Sequence, residues 1–434
     1  MPHWKCSSRL TRLVLLSVAT ISVLLISVAS SSIAEAQTFS VIHYFTGGPD
    51  GNYPAATMTL DRAGRLYGTT LLGGVQSCPG GGCGIAFRMH GSGANWVLDT
   101  LFEFPNNPSV GISPAAPLTF GPDGALYGTT QGGPNCSGEG CGVVFRLVPP
   151  ISPCHTVVCP WTETVIYHFH GGSDGIEPMS SPVTFDAAGN AYGTTWAGGT
   201  NGRGTIWKLT RNGSQWAESI IYNFNGAGDG SNPRAGVILD STGNLYGTTE
   251  MGGDLSCDFS QGCGTVFELS PSGAGWTETT LYTFESTSDV GTNPIAGLVF
   301  DASGNLYGSA NYRSGQIDAA VWELQPANGS WTPSVLTYLL GNGGPHSALT
   351  IDAQGNLYGT TGDGGAHFEG SVFKLSLQNG SWVYTDLHDF HIDDGWRPVG
   401  GVTLGANGIL YGTAAQGGTG SCFNGCGVVW QITP

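Results

Sequence analysis

Charged residues are scarce in this chain, and basic residues are the scarcest. Only 10% of the 434 residues are charged, and 14 Lys and Arg compare with 31 Asp and Glu, so the formal net charge is −17 at pH 7. Nucleic acids and anionic membrane surfaces bind proteins through clustered positive charge. The balance therefore argues against a nucleic-acid partner and against an anionic membrane surface.

Several sequence signatures of catalysis are also missing. The chain has no His-Glu-x-x-His pair, no phosphate-binding loop, no dinucleotide fingerprint and no sialidase-type aspartate box. No segment has the full ligand spacing of a known calcium loop. A second long apolar run, beyond the one near the N-terminus, is absent as well. These absences favour a non-catalytic protein whose mature chain does not insert into a membrane.

The first 36 residues have the composition of an export signal. Basic residues at Lys5, Arg9 and Arg12 precede an apolar stretch at 13–29, and Ala34-Glu35-Ala36 fits a small-x-small cleavage site. We predict a signal peptide at 1–36 and one mature domain at 37–434; the alternative is a retained membrane anchor. The protein is then expected in the secreted fraction, at the cell surface or in the periplasm.

Ten of the eleven cysteines follow the predicted signal and form five close pairs. The pairs are Cys78/Cys83, Cys136/Cys141, Cys154/Cys159, Cys257/Cys263 and Cys422/Cys426. An even number of cysteines in an exported chain indicates disulfides. Zinc binding is the alternative, but it would need two pairs close together, and whole repeats separate most of these pairs. We therefore predict five local disulfides.

The segment Leu-Tyr-Gly-Thr-Thr, or a close variant of it, occurs seven times at intervals of 51 to 65 residues. The copies are centred on Tyr67, Tyr127, Tyr192, Tyr246, Tyr307, Tyr358 and Tyr411. A period of this length over the whole mature chain indicates a repeat architecture.

Each repeat is predicted to form four strands, a to d. In the fourth repeat they are expected at 233–240, 245–250, 264–270 and 276–284, with turns or loops rich in glycine between them. The mature chain opens with a d-like strand at 39–45 and closes with a c strand. A ring in which 39–45 pairs with the last blade leaves no unmatched edge. We therefore predict an all-β, seven-bladed β-propeller of four-stranded blades; an open β-solenoid is the alternative.

The unit Leu-Tyr-Gly-Thr-Thr…Gly-Gly…Gly-x-Val-Phe-x-Leu resembles the GloVer-type tandem repeat of exported bacterial proteins, a family with a choice of C-terminal anchors. The resemblance covers nearly all of the mature chain. It implies a surface or secreted location and no particular activity. This sequence ends at Pro434 without a sorting signal or hydrophobic tail, so anchoring is not expected here. The Asp-x-x-Gly-Asn-Leu-Tyr segment is more weakly similar to NHL-type propeller repeats.

Two sets of aspartates recur in the repeats. Asp50, Asp174, Asp229 and Asp394 each precede a glycine in d–a loops. They are expected either to form turns or to make a ring of carboxylates that binds Ca²⁺ or a cationic or sugar ligand. A second set is predicted to cap the a–b turns; it comprises Asp61, Asp186, Asp240, Asp301 and Asp352.

Residues that break the repeat are the candidates for a single site. Those on the predicted loop face include Glu250, His367 and His391. The candidate ligand-binding set is Glu177, Trp196, Arg234, Arg313, His346, Trp396 and Arg397. Each is individually compatible with an incidental loop position, but together they predict a groove for a small molecule or glycan.

These observations favour an exported, monomeric, non-catalytic propeller that binds a carbohydrate or protein through its disulfide-braced loop face. No cofactor other than Ca²⁺ is expected. The first alternative is a carbohydrate-active enzyme, a polysaccharide lyase or glycosidase. Two carboxylates, or a His/Arg pair, about 5–10 Å apart over the channel would favour it. The second alternative is a purely structural surface protein.

Overall fold

A computed structural model describes residues 37–434, apart from 75–77, 79–80, 108, 134–140, 151–160, 214, 258–259, 274, 312–318 and 340–343. Residues Phe39–Thr433 form one compact unit. It contains seven antiparallel sheets of four strands each, and the only helical segment among the described residues is a 3-10 turn at Ala406–Gly408. None of the described helical residues forms a helix long and apolar enough to cross a membrane.

The seven sheets are the blades of a propeller, numbered here 1 to 7 in the order of their first strands. Strands a are Thr59–Leu60, Thr119–Phe120, Thr184–Phe185, Ile238–Leu239, Val299–Phe300, Thr350–Ile351 and Thr403–Leu404. Strands b are Leu66–Thr70, Leu126–Thr130, Ala191–Thr195, Leu245–Thr249, Leu306–Ala310, Leu357–Thr361 and Leu410–Ala414. Strands c are Ile85–Ser92, Val143–Val148, Thr205–Asn212, Thr265–Ser272, Ala319–Ala327, Ser371–Gln378 and Val428–Thr433. Strands d are Asn95–Glu103, Thr162–His168, Gln215–Asn223, Gly275–Thr283, Ser330–Leu339, Ser381–Asp389 and, for blade 7, Thr38–Tyr44.

The N-terminal strand closes the ring as the sequence predicts. Thr38–Tyr44 is the outer strand of blade 7 and pairs with the last strand of the chain, Val428–Thr433. Both ends of the described chain therefore lie in one sheet, and neither leaves an unpaired strand. The predicted fold class, a seven-bladed β-propeller with four-stranded blades, is confirmed.

Each residue of the Leu-Tyr-Gly-Thr-Thr segment has a separate structural task, which explains its recurrence. In blade 4, Leu245 is fully buried, and Gly247 lies opposite Phe267 of strand c. A Cβ on Gly247 would come within 2.6 Å of the Phe267 ring. The tyrosine hydroxyl of six blades reaches an aspartate in the a–b turn, as Tyr246 reaches Asp240 at 3.3 Å.

Those turn aspartates cap the a–b turns as predicted. Asp240 Oδ1 accepts backbone N–H bonds from Thr242 and Asn244, at 2.8 and 2.9 Å. The same pattern recurs at Asp61, Asp186, Asp301 and Asp352. Glycine stands at the equivalent position in blade 2, where Asp123, two residues later, bonds the tyrosine instead.

The first hydroxyl residue of each segment links its blade to the next. Its side-chain oxygen donates to a backbone carbonyl just before strand a of the following blade. The seven pairs are Thr69–Ala116, Thr129–Pro178, Thr194–Ala235, Thr248–Ala296, Ser309–Pro345, Thr360–Gly400 and Thr413–Ala56, at 2.8 to 3.4 Å. The last pair joins blade 7 to blade 1, so the hydrogen bonds form a closed circle.

Strand a is shorter than the sequence suggests. The fourth repeat predicts a strand over 233–240, but only Ile238–Leu239 pairs with strand b. Pro233 has no N–H group, and the Ala235 and Val237 carbonyls accept hydroxyl bonds from blade 3. These carbonyls are bonded to the neighbouring blade, so the first half of the segment does not pair with its own sheet.

The hydrophobic core lies between the blades. One cluster joins Tyr192, Ile206 and Phe224 of blade 3 to Leu245 and Phe267 of blade 4. Six other clusters combine residues of neighbouring blades in the same way. Each blade is therefore stabilised mainly by burial against its two neighbours.

Three predicted disulfides are present among the described residues. They join Cys78 to Cys83, Cys257 to Cys263 and Cys422 to Cys426, all in b–c loops. The other two predicted pairs cannot be followed, because Cys136, Cys154 and Cys159 lie outside the described residues.

Candidate functional site

A cavity of about 490 Å³ occupies the centre of the ring. Its wall consists of the strand a segments, with small residues such as Ala56, Ala115 and Ser347 facing it. Arg234, His346 and Arg397 line it as well. These three residues adjoin the prolines that end the d–a loops, so they lie at the end of the cavity toward the loop face. They are the only charged or titratable side chains lining it.

An unusual backbone conformation positions the residue before each of these prolines. Six of them have positive φ angles of 54° to 63°; they are Tyr53, Ser113, Glu177, Asn232, Asn293 and Arg397. A proline disfavours the helical region for the preceding residue, and a left-handed conformation costs side chains other than glycine about 1 kcal/mol or more. Contacts with the previous blade must therefore hold each of these residues in place.

Hydrogen bonds from the previous blade supply that support. The Arg397 N–H donates to the Glu369 carbonyl at 3.0 Å, and the Glu177 N–H donates to the Cys141 carbonyl at 3.1 Å. The other four make the equivalent bond, to the carbonyls of Cys426, Cys83, Arg203 and Cys263. The described disulfides therefore hold cysteines whose carbonyls fix the loops around the cavity.

His346 is a recessed neutral imidazole between two cations. Burial, followed by the positive charges of Arg234 and Arg397, lowers the pKa of His346 to about 4. The ring is therefore uncharged at neutral pH and can donate one hydrogen bond and accept another. A side chain on Gly362 would approach the imidazole within 3.4 Å, so this glycine leaves room for the ring.

Both arginines have an acidic neighbour that does not fully neutralise them. Arg234 Nη1 is 3.8 Å from Glu250 Oε1, and Arg397 Nε is 3.8 Å from Asp363 Oδ1. These separations are too long for hydrogen bonds. Among the described residues, neither guanidinium donates a hydrogen bond to another side chain or carbonyl. Both retain donors for a ligand.

The structure brings together some of the predicted ligand residues and separates others. Trp196 belongs to the surroundings of Arg234, because its indole N–H donates to Glu250 Oε2 at 3.1 Å. Glu177 and Trp396 do not line the cavity. Arg313 lies outside the described residues.

The aspartates of the d–a loops serve their own turns. Asp229 Oδ2 accepts bonds from the Tyr222 hydroxyl at 2.8 Å and the Asn225 N–H at 3.0 Å. Asp50, Asp174 and Asp394 likewise accept a backbone N–H within their loop. No cluster of three or more His, Cys, Asp or Glu side chains suited to a metal occurs among the described residues. A calcium site at these aspartates stays a prediction.

One short segment matches a catalytic pattern by its letters alone. Residues 171–175 read Gly-Gly-Ser-Asp-Gly, which fits the Gly-x-Ser-x-Gly nucleophile elbow. That elbow needs a strand before it and a helix after it. Here the preceding strand ends at His168, and the next element is the strand Thr184–Phe185. The segment is therefore a d–a turn.

Sequence reasoning missed Asp363 and the cavity residues Tyr53 and Gln131. Asp363 occupies the position that holds Leu72, Gly132, Ala197, Met251 or Gln416 in other repeats. An acid among these residues breaks the repeat, so a closer alignment of the copies would have revealed it. Tyr53 and Gln131 are polar residues at variable positions, and the sequence alone does not indicate that they face the cavity.

Comparison with protein families supports the repeat interpretation. The model of the Gloeobacter/Verrucomicrobia repeat matches residues 159–339 and 261–434, which together span more than half of the chain. The chain belongs to this family. No curated protein shows significant sequence similarity to it.

Solved structures with similar folds are distant. A periplasmic gluconolactonase from Pseudomonas aeruginosa has 15% identity and a TM-score of 0.47, covering 81% of this chain and 95% of its own. A gluconolactonase from Xanthomonas campestris has 14% identity and a TM-score of 0.36, covering 62% and 75%. A protein of unknown function from Dyadobacter fermentans has 10% identity and a TM-score of 0.44, covering 92% and 98%. Similarity at this level carries no information on activity.

Proposed function

We propose that this protein is an exported binding module that holds the carboxylate of an acidic sugar at the loop-face end of the central cavity. The supporting observation is the convergence of Arg234, His346 and Arg397 on that one cavity. Guanidinium groups bind carboxylates through paired, charge-assisted hydrogen bonds. The neutral His346 imidazole complements them by bonding a sugar hydroxyl.

The charge of the whole chain makes this spot distinctive. The formal net charge is −17, yet two arginines and no carboxylate line the cavity itself. The acidic neighbours Glu250 and Asp363 each lie 3.8 Å from an arginine. A carboxylate ligand of the right size therefore gains two cationic partners that no protein group fully occupies. The cavity volume of about 490 Å³ is sufficient for a monosaccharide.

Isothermal titration calorimetry with galacturonate, and with neutral galactose as the matched ligand, tests the proposal. Galacturonate should bind and galactose should bind at least tenfold more weakly. Arg234→Gln and Arg397→Gln should each weaken galacturonate binding by about tenfold or more, because a charge-assisted hydrogen bond contributes about 1.5–3 kcal/mol.

Arg62→Gln is the control variant. Arg62 is an exposed arginine in an a–b turn, on the opposite face of the ring. Its replacement changes the net charge equally but should leave galacturonate binding unchanged. Equal binding of the acidic and neutral sugars, or equal effects of all three variants, contradicts the proposal. Repeating the titration with Ca²⁺ present and absent tests whether the d–a aspartates contribute a metal.

A second candidate, a polysaccharide lyase, uses the same residues. Its specific support is a neutral imidazole beside two arginines. His346 would take the proton on the carbon next to the uronate carboxylate, which Arg234 and Arg397 would neutralise. The C–H electron pair would form a carbon–carbon double bond, and the glycosidic oxygen on the adjacent carbon would leave and take a proton from water.

Incubation with polygalacturonate distinguishes the two candidates. The lyase would generate an unsaturated uronate that absorbs ultraviolet light, and His346→Gln would abolish that signal while binding persists. Binding without any absorbance change supports the binding module. The location of the protein outside the cytoplasm is part of the proposal, and it is supported by the disulfides.

A further inference from the structure

Three exposed apolar side chains stand on neighbouring loops beside Arg397. Phe368, in the b–c loop of blade 6, is 71% exposed, and Phe423, in the b–c loop of blade 7, is 91% exposed. Ile392, in the d–a loop between these blades, is 37% exposed. We call these three residues the blade 6/7 ridge. Large apolar side chains left this open on adjacent loops mark interaction surfaces more often than single scattered ones do.

Hydrogen bonds connect the ridge to the cavity mouth. The residue after Phe368 is Glu369, whose carbonyl accepts the Arg397 N–H at 3.0 Å. Trp396 and Gln416 exchange two backbone bonds at 2.8 and 2.9 Å. The next residue, Gly417, donates to the carbonyl of Asn424, which follows Phe423, at 2.7 Å. The loops that carry the two phenylalanines are therefore fixed to the segment that carries Arg397.

The middle loop is held on both sides as well. The Gly418 N–H donates to the Ile392 carbonyl at 2.7 Å, and the His367 and His391 rings meet edge to face with centroids 5.6 Å apart. The disulfide between Cys422 and Cys426 closes the loop around Phe423. The ridge is thus built on braced loops, so little conformational entropy is lost when a ligand covers it.

Two buried donors between the ridge and the cavity have no hydrogen-bond partner among the described residues. They are the Trp396 indole N–H and the Arg397 Nε–H, which belong to adjacent residues. A buried donor without an acceptor is costly. A ligand that supplies oxygen atoms at this point would remove the cost, whereas an apolar ligand would not.

We propose that the protein binds a linear acidic oligosaccharide, with one uronate at the cavity mouth and further sugar units extending along the blade 6/7 ridge. This rests on the proposed function, since Arg397 is the inner end of the path. A sugar chain fits the sequence of surfaces: its carboxylates match the arginines, its hydroxyls match the unpaired donors, and the apolar faces of its rings match exposed phenylalanine rings.

Other occupants fit less well. An anionic membrane surface would be repelled by a chain with a net charge of −17. A lipid or an apolar peptide would cover the phenylalanines but supply no acceptors to Trp396 and Arg397. An oligosaccharide is also continuous with the ligand already proposed for the cavity, so it needs no second, separate function.

The test compares galacturonate with its linear oligomers by calorimetry on the whole mature protein. The oligomers should bind at least tenfold more tightly than the monosaccharide. Phe368→Ala and Phe423→Ala should each weaken oligomer binding by about three- to tenfold, the range expected for loss of one aromatic contact. Neither variant should change the affinity for the monosaccharide. Phe423→Trp should retain oligomer binding.

Leu377→Ala is the matched control, because Leu377 is 59% exposed at the c–d end of blade 6, on the opposite face. It should leave the affinity for both ligands unchanged. If the monosaccharide binds but the oligomers bind no tighter, or if the phenylalanine variants do not affect oligomer binding, the ridge proposal is wrong and the proposed function stands. If neither ligand binds, the proposed function fails and the ridge proposal fails with it.

Discussion

The circle of hydroxyl bonds between blades makes a quantitative prediction at Thr248. This residue is 1% exposed, and its Oγ1 donates to the buried Ala296 carbonyl of blade 5 at 3.0 Å. Thr248→Val keeps the shape of the side chain but replaces the hydroxyl with a methyl group. The backbone pairing of Thr248 with Val266 in strand c is unaffected.

The expected loss follows from the carbonyl that is left without a donor. A buried polar group deprived of its partner costs about 1–3 kcal/mol, so Thr248→Val should lower the free energy of unfolding by that amount. Thr248→Ser keeps the hydroxyl and removes one buried methyl group, at a cost of about 0.8 kcal/mol. Ser309 occupies the equivalent position of blade 5 and bonds the Pro345 carbonyl at 3.4 Å, so the repeat accommodates serine.

Urea denaturation followed by tryptophan fluorescence measures the differences. The expected order of stability is wild type, then the serine variant, then the valine variant. Thr277→Val, at an exposed position of strand d in the same blade, is the control and should change stability by less than about 0.5 kcal/mol. A valine variant as stable as wild type, or more stable than the serine variant, would refute the reasoning.

Three further predictions concern the fold. Gly247→Ala should destabilise the protein by about 1–3 kcal/mol, because its Cβ would lie 2.6 Å from the Phe267 ring; an unchanged melting temperature contradicts this. Burial, followed by the charge of Asp174, raises the pKa of Glu218 to about 7, so its burial becomes costly as the pH rises from about 4.5 through 7. Glu218→Gln should therefore gain stability relative to wild type at pH 8 compared with pH 4, and equal differences at the two pH values rule this out. Deleting residues 38–44 should remove cooperative unfolding, and retention of the wild-type melting curve is incompatible with ring closure by this strand.

The sequence alone was sufficient to predict the blades. Strand alternation and turn chemistry are local properties, and seven copies of one segment average out local irregularities. The offset of the repeat, with a d strand first and a c strand last, also predicted how the ring closes. Its physical basis is simple: an unpaired strand edge is costly, and Thr38–Tyr44 is the one strand that removes it.

The length of strand a was not predictable in the same way. Residues before Ile238 have the composition of a strand, but their carbonyls bond hydroxyl groups of the preceding blade. That competition depends on how far apart two blades stand, which no single repeat specifies. The role of the Thr248 hydroxyl was hidden for the same reason, because its acceptor Ala296 is 48 residues away.

The sequence by itself determined which residues could form a site, and the tertiary structure decided which of them do. Arg234, His346 and Arg397 stand out as breaks in the repeat, but so do Glu177 and Trp396, and nothing in the sequence separates the two groups. The separation arises because the strand a segments of blades 4, 6 and 7 converge on one cavity, which brings residues more than 150 positions apart around it. The pKa of His346 and the incomplete neutralisation of the arginines follow from that convergence, since charges interact through distances in space that the order of residues does not contain.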